Sequence, residues 1–171
     1  MERLNVNPTR MILTTLKRRL VTARRGHKLM KDKRDQLMKG FLELARENKR
    51  LREEVEQELS RVYESFSVAS AVMSQEVMEE ALMFPKQGVD LSVTGKNVMS
   101  VDVPQFSFET TAEDSSDIYP YGFASTSGEL DAAIAGLARA LPAMLDLAAK
   151  EKEAAMLAAE LEMTRRRVNA L

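Results

Sequence analysis

The sequence predicts a mainly α protein, a long antiparallel two-helix coiled coil with a small β-hairpin insertion. Three observations predict it. From Leu13 to Met73, largely apolar residues recur at alternating steps of three and four, the spacing of a coiled-coil seam. No proline falls between Pro8 and Pro85. Charged residues make up 30% of the chain and aromatic ones only 5%, a composition of long helices rather than of a thick globule.

The first helix is expected from about residue 8 to 82, within an N-terminal segment 1–85. Asn7 suits a cap, and Pro8 suits the first helical position, where a missing N–H costs nothing. The seam then runs through Leu13, Leu16, Leu20, Ala23, His27, Met30, Arg34, Leu37, Phe41, Leu44, Asn48, Leu51 and Val55. A step of four to Leu59 before Val62, Phe66, Ala69 and Met73 is a stutter, which locally unwinds a left-handed supercoil. Such a rod, on the order of 110 Å long at the α-helical rise, needs a partner along its apolar stripe.

Residues 86–128 change character. Four of the seven glycines and three of the five prolines lie between 85 and 128. VDLSV (89–93) and VMSVDV (98–103) read as strands flanking a TGKN turn, with Gly95 supplying a permissive backbone. The stretch EDSSDIYPYGFASTSG (113–128) reads as an exposed acidic loop.

Helix returns over 129–171, with Leu130, Ile134, Leu137, Leu141, Ala148, Leu157, Leu161, Val168 and Leu171 towards the partner and a kink or break expected at Pro142. The amphipathic pattern stops at Leu171 without a cap, the pattern of an incomplete helix. A turn between Leu82 and Glu129 would set Leu171 opposite about residue 40, leaving Leu13, Leu16, Leu20 and Leu37 uncovered.

Composition narrows the functional classes. Without cysteine there is neither a disulfide framework nor a thiolate metal site. No apolar run approaches a membrane span, and MERLNVNPTR lacks a signal-peptide core, so the expectation is a cytoplasmic protein with no direct membrane insertion. The net charge of −1 hides a gradient: residues 1–35 carry eleven Lys/Arg against three acids, and residues 36–80 carry six against ten.

His27, on the seam, is the only histidine and has no cysteine to join it as a ligand, so it reads with Arg34 and Asn48 as a polar residue that fixes register. Gly26 and Gly40 read either as tolerated imperfections of a helix or as points of close approach. Around Gly95-Lys96-Asn97 a phosphate loop fails on spacing, because Gly88 lies too far upstream and Asn97 replaces the magnesium-binding Ser or Thr. Glu53, Glu54, Glu56 and Glu58 spread around a solvated face beside Arg50 and Arg52. No catalytic, cofactor or metal residue emerges. The basic run from Lys17 to Arg34 could meet phosphates, but its seam continues where a DNA-reading helix normally loses it, so an acidic protein surface suits it at least as well.

Two segments are specific. NPTRMILTTLKRRLVTARRGHKLMKDKRDQLM (7–38) closely resembles the N-terminal segment of the D subunit of the V/A-type rotary ATPases, and TRRRVNAL (164–171) resembles a segment of that family's C-terminal helix. Asn7, Pro8, Thr9, Arg10, Leu16, Leu20, Arg25, Gly26, Lys28, Leu29, Lys31, Lys33 and Asp35 match the first pattern, with Met30 where Leu is usual. Arg165, Arg166, Arg167, Val168, Asn169 and Leu171 match the second, beyond which the family continues for some forty residues.

The resemblance implies a non-catalytic central-stalk rotor of a proton- or sodium-translocating ATPase. Its partners would be the catalytic and non-catalytic head subunits, the F subunit of the stalk and the subunit docking on the membrane ring. It would be peripheral to the membrane and would bind no cofactor. Arg10, Arg24, Arg25, Lys28, Lys31, Arg165, Arg166 and Arg167 are then the candidates for partner contact. The competing reading is a basic coiled-coil scaffold or nucleic-acid-binding protein.

Overall fold

A computed structural model describes residues 7–111, 118–122, 124 and 126–170. Its elements run α1 (Arg10–Val72), α2 (Gln75–Leu82), β1 (Val89–Val98), β2 (Val101–Thr110) and α3 (Gly128–Ala170). The two long helices pack antiparallel, and the hairpin lies along α3. The fold is the expected one, a long helix pair with a small two-stranded antiparallel insertion.

Thr9, rather than Asn7, caps α1, its extended backbone letting Oγ1 accept the Ile12 N–H at 3.3 Å. The expected single helix to residue 82 breaks ten residues early. Met73 takes an extended conformation, and Ser74 caps a new helix by accepting the Val77 N–H, with Glu76 favourable in its positive first turn. The seam spacing carries on to Met73 and gives no warning of this break. Its return is burial: the turn lets Met78 and Ala81 of α2 join Ala69 and Leu130 in one apolar cluster.

The break moves the register. Lys33 meets Glu160, Glu47 meets Lys150, and Val62 faces Gly136. A pair turning at Val72 and Gly128, rather than at 82 and 129, brings the end of α3 well past residue 40. Leu37, expected bare, is 1% exposed and packs with Leu157, Val101 and Val103. Leu13 and Leu20 are exposed as expected, and Leu16 is half-buried.

On α3 the proximal seam is built from Ala133, Gly136 and Ala140, while Leu137 is half exposed. Small residues let the two axes approach closely. The helix runs unbroken through Pro142, whose ring sits on an exposed face. A stretch of α3 also meets the length and hydropathy of a membrane span, with mean hydropathy 1.4, against expectation. Its apolarity comes from leucine and isoleucine together with many alanines.

The hairpin turn is Met99–Ser100, and TGKN lies inside β1, with Gly95 opposite Pro104. Met99 and Ser100 both take left-handed backbone, φ 52° and 69°, as a two-residue type I′ turn requires. Asn97 compensates: its Oδ1 accepts the Ser100 N–H at 3.2 Å and its Nδ2 donates to Asp102. Burial on β2 changes phase from Val101 and Val103 to Phe106 and Phe108 although the pairing has no bulge. The strong twist of a two-stranded ribbon turns its other face inward there. Of the expected acidic loop, 113–117, 123 and 125 lie outside the described residues, but Ile118 is buried and Tyr121 donates to Asp131 Oδ1 at 2.7 Å.

Candidate partner interface

Arg10, Arg24, Arg25, Lys28 and Lys31 are all exposed along the first third of α1, and none forms an ion pair among the described residues. Arg18 and Arg19 share that state. The second half of α1 is different. There Lys49 pairs with Glu53, Arg50 with Glu54 at 2.9 Å, and Arg61 with Glu58 at 2.7 Å. Arg52, expected to serve Glu neighbours on its own helix, instead reaches Glu151 of α3.

Arg165, Arg166 and Arg167 lie exposed near the end of α3. Arg166 is engaged by Glu162 one turn back, whereas Arg165 and Arg167 form no ion pair among the described residues. Counting outward from the Lys33–Glu160 contact, Arg165 stands at about the level of Lys28. The two basic clusters of the sequence, far apart in chain order, therefore meet as one cationic collar around the helix pair. The register expected from sequence would have set Arg165 well away from Lys28, so the collar was not legible.

Leu29 within the collar is 67% exposed, and beyond the collar α1 presents further bare apolar side chains, Leu13 at 53% and Leu20 at 50%. His27 is exposed, so it does not act as a packed seam residue that fixes register. An added Cβ at Gly26 or Gly40 would meet nothing within 4 Å, so close approach of this chain's own atoms does not explain either glycine. Asn48 does act across the seam, donating from Nδ2 to the Lys150 carbonyl at 3.3 Å.

The perturbed ionisable groups are structural. The Lys33 ammonium, hydrogen-bonded to Glu160, holds that carboxyl below the usual carboxylate range. Burial, then the bond to Asp131, pushes the Tyr121 hydroxyl well up. No group of three His, Cys, Asp or Glu side chains gathers to hold a metal among the described residues. The groove at the foot of the helix pair is walled by apolar side chains, among them Leu82, Pro85, Val89, Ile118, Ile134 and Leu141. The candidate interface is thus composed of exposed cations and exposed or groove-lining apolar side chains.

A family model for the D subunit of ATP synthase matches residues 12–171. The V-type ATP synthase D subunit of Acetivibrio thermocellus is 61% identical over 168 residues, which is 98% of this chain and 76% of that relative. Its counterpart in Clostridioides difficile is 60% identical over 171 residues, 100% of this chain and 77% of the relative. That of Thermoanaerobacter sp. is 55% identical over 171 residues, 100% of this chain and 81% of the relative.

Proposed function

Since the chain belongs to the family of ATP synthase D subunits, we propose that it is the non-catalytic central-stalk rotor of a V-type ATP synthase. Its collar end sits among the catalytic and non-catalytic head subunits. Its bent end, where α1, α2 and α3 meet, faces the F subunit and the subunit that docks on the membrane ring. The complex holds it at the cytoplasmic side of the membrane without insertion of its own. The observation that carries this reading is the collar: largely unpaired cations around a stiff helix pair, beside an apolar stripe that the described residues leave bare.

Coupling follows from differential binding. An asymmetric rod offers each of the surrounding subunits a different face at each angle, so each angle favours a different set of subunit conformations. The influence is reciprocal, because a conformational change in the head shifts the angle by the same free energy. The rod needs stiffness and asymmetric charge, and it needs no catalytic residue.

Charge reversal tests it. Arg24→Glu, Arg25→Glu and Lys28→Glu together should weaken binding to the assembled head by about tenfold or more, and helicity should be kept, because exposed ion pairs contribute little to folding. Unchanged binding per folded molecule would sink the assignment. So would ATP hydrolysis by the purified chain alone that survives further purification. Tight association with random duplex DNA at physiological salt would favour the nucleic-acid reading instead.

A further inference from the structure

At the bent end the chain inverts the character of the collar. Between Arg61 and Lys86 it carries four glutamates and no Lys or Arg. Glu64, Glu76, Glu79 and Glu80 are exposed and form no ion pair among the described residues. This is local, since the glutamates one to three turns earlier on α1 mostly have a cation within reach. Arg139 and Lys86 are the cations of the adjoining segments, and neither lines the groove between the last turns of α1 and α2.

The last turns of α1 and the whole of α2 enclose a groove of about 490 Å³, with Phe66, Ser70, Met73, Met78, Glu79 and Leu82 on its walls. Around it the apolar exposure is large: Val72 is 72% exposed, Met83 62%, Phe84 76% and Leu82 41%. The groove is not a frayed end. Met78 and Ala81 anchor α2 on Ala69 and Leu130, so its outer face is held in place. Exposed apolar side chains gathered beside a groove mark an interaction site.

We propose that this groove docks a basic amphipathic helix of a partner protein. Its shape, a channel between two short helical runs, fits the ridge of a third helix. Met73 on the groove wall and the exposed Met83 beside it supply flexible, polarizable contacts that adapt to varied apolar side chains. Glu79 on the groove wall, with Glu76 and Glu80 beside it on α2, selects Lys or Arg flanking that stripe and opposes nucleic acid and anionic membrane alike. One basic stripe of this sort exists in the chain itself, over residues 10–31. The inference rests on the stalk reading in one respect, that the head already engages that stripe and leaves the groove for another polypeptide.

The probe is a short amphipathic helical peptide of leucine and lysine, with a control in which glutamate replaces every lysine, added to the full chain. The lysine peptide should bind and shift the NMR signals of Phe66, Met73, Met78 and Leu82, and the glutamate peptide should not. Glu76→Lys, Glu79→Lys and Glu80→Lys together should weaken it about tenfold. Leu82→Ser, which alters the wall without touching charge, should weaken it too and guards against a charge variant that misfolds. Equal binding of both peptides, unchanged affinity in the charge variant, or shifts mapping elsewhere would overturn the proposal. So would self-association of the chain in sedimentation that the same charge reversal abolishes, because the occupant would then be a second copy. Head binding is scored separately with the Arg24, Arg25 and Lys28 variant, so its failure beside intact peptide binding would strike the stalk reading alone.

Discussion

Lys33 Nζ lies 2.8 Å from Glu160 Oε1 across the helix pair, and the two side chains are only 27% and 14% exposed. The other ion pairs between the long helices, Arg52–Glu151 and Lys150–Glu47, are more open. Thr164, fully buried, hydrogen-bonds the same carboxylate at 3.4 Å. This contact adds to the register that Leu157 and Gly136 impose through packing, since the alanines between them discriminate less between alignments. Sliding α3 by seven residues one way brings Arg167 to Lys33, which strands a partly buried charge. Sliding it the other way leaves Glu153 opposite Lys33, and that slip is opposed instead by the loss of partners for Arg52 and Glu47, which would face Met144 and Ala143.

Removing one partner should therefore cost more than removing both. Lys33→Met leaves a partly buried carboxylate without its cation and should destabilise by about 1–3 kcal/mol in urea unfolding. The swap Lys33→Glu with Glu160→Lys should recover most of that loss. Additive effects in the double-mutant cycle would mean that the pair sets nothing.

The same carboxyl predicts an acid dependence. Its folded-state pKa is depressed, chiefly by the hydrogen bond from Lys33. The pair's contribution is thus fully present above the ordinary carboxylate pKa and is lost as pH falls through the depressed value. Thermal unfolding across acid pH should show wild type losing stability, with Glu160→Gln losing less over the same window. Parallel curves for the two proteins would contradict the assignment.

Gly136 is the second register mark. A Cβ built there would stand 2.8 Å from Val62 Cγ2, closer than real Cβ contacts come. Gly136→Ala gains helix propensity but forces the helices apart, and the net should be a destabilisation of about 1–3 kcal/mol. Val62→Ala in the same chain should relieve part of it. A more stable Gly136→Ala would show that the local packing gives way easily. Gly26→Ala, with open space around its Cβ, should stabilise by roughly the propensity difference.

The seam from Leu37 to Ala69, the presence of a hairpin and the two long helices were legible because each depends on local periodicity. The turn was misplaced at TGKN, because a glycine signals a turn only by residue type and the left-handed pair Met99–Ser100 carries no such signal. The break at Met73–Ser74 was not, because its gain lies in the contact of Met78 and Ala81 with Leu130, which is remote in sequence. Everything measured from that break inherited the error: the register, the burial of Leu37 and the meeting of Arg165 with Lys28. Each cation of the candidate interface was visible in the sequence. Their assembly into a collar was not.

The hairpin turn should be improvable. Met99 and Ser100 hold left-handed backbone without being glycine or asparagine, the residues that adopt it at least cost. Met99→Asn with Ser100→Gly should raise hairpin stability by about 1 kcal/mol, read as slower amide exchange in β1 and β2. Faster exchange would show that the Met99 side chain contributes a contact that outweighs the backbone cost.

The two ends of α1 differ in what covers them. Counting from Lys33–Glu160, α3 covers α1 from Val72 back to about residue 23, beyond which the seam faces no helix among the described residues. Leu37, buried between Leu157 and Val103, should cost about 2–5 kcal/mol when replaced by alanine. Leu13→Ala, at a side chain 53% exposed, should stay within about 0.5 kcal/mol. Hydrogen exchange should agree, with amides of residues 10–22 exchanging much faster than those of 37–70 in a monomeric sample. When the assembled head is added, protection should rise in 10–22, because the stripe and the collar then gain their partner. Equal protection in the free chain would mean that the stripe is already covered, and that the helices pair in a different register.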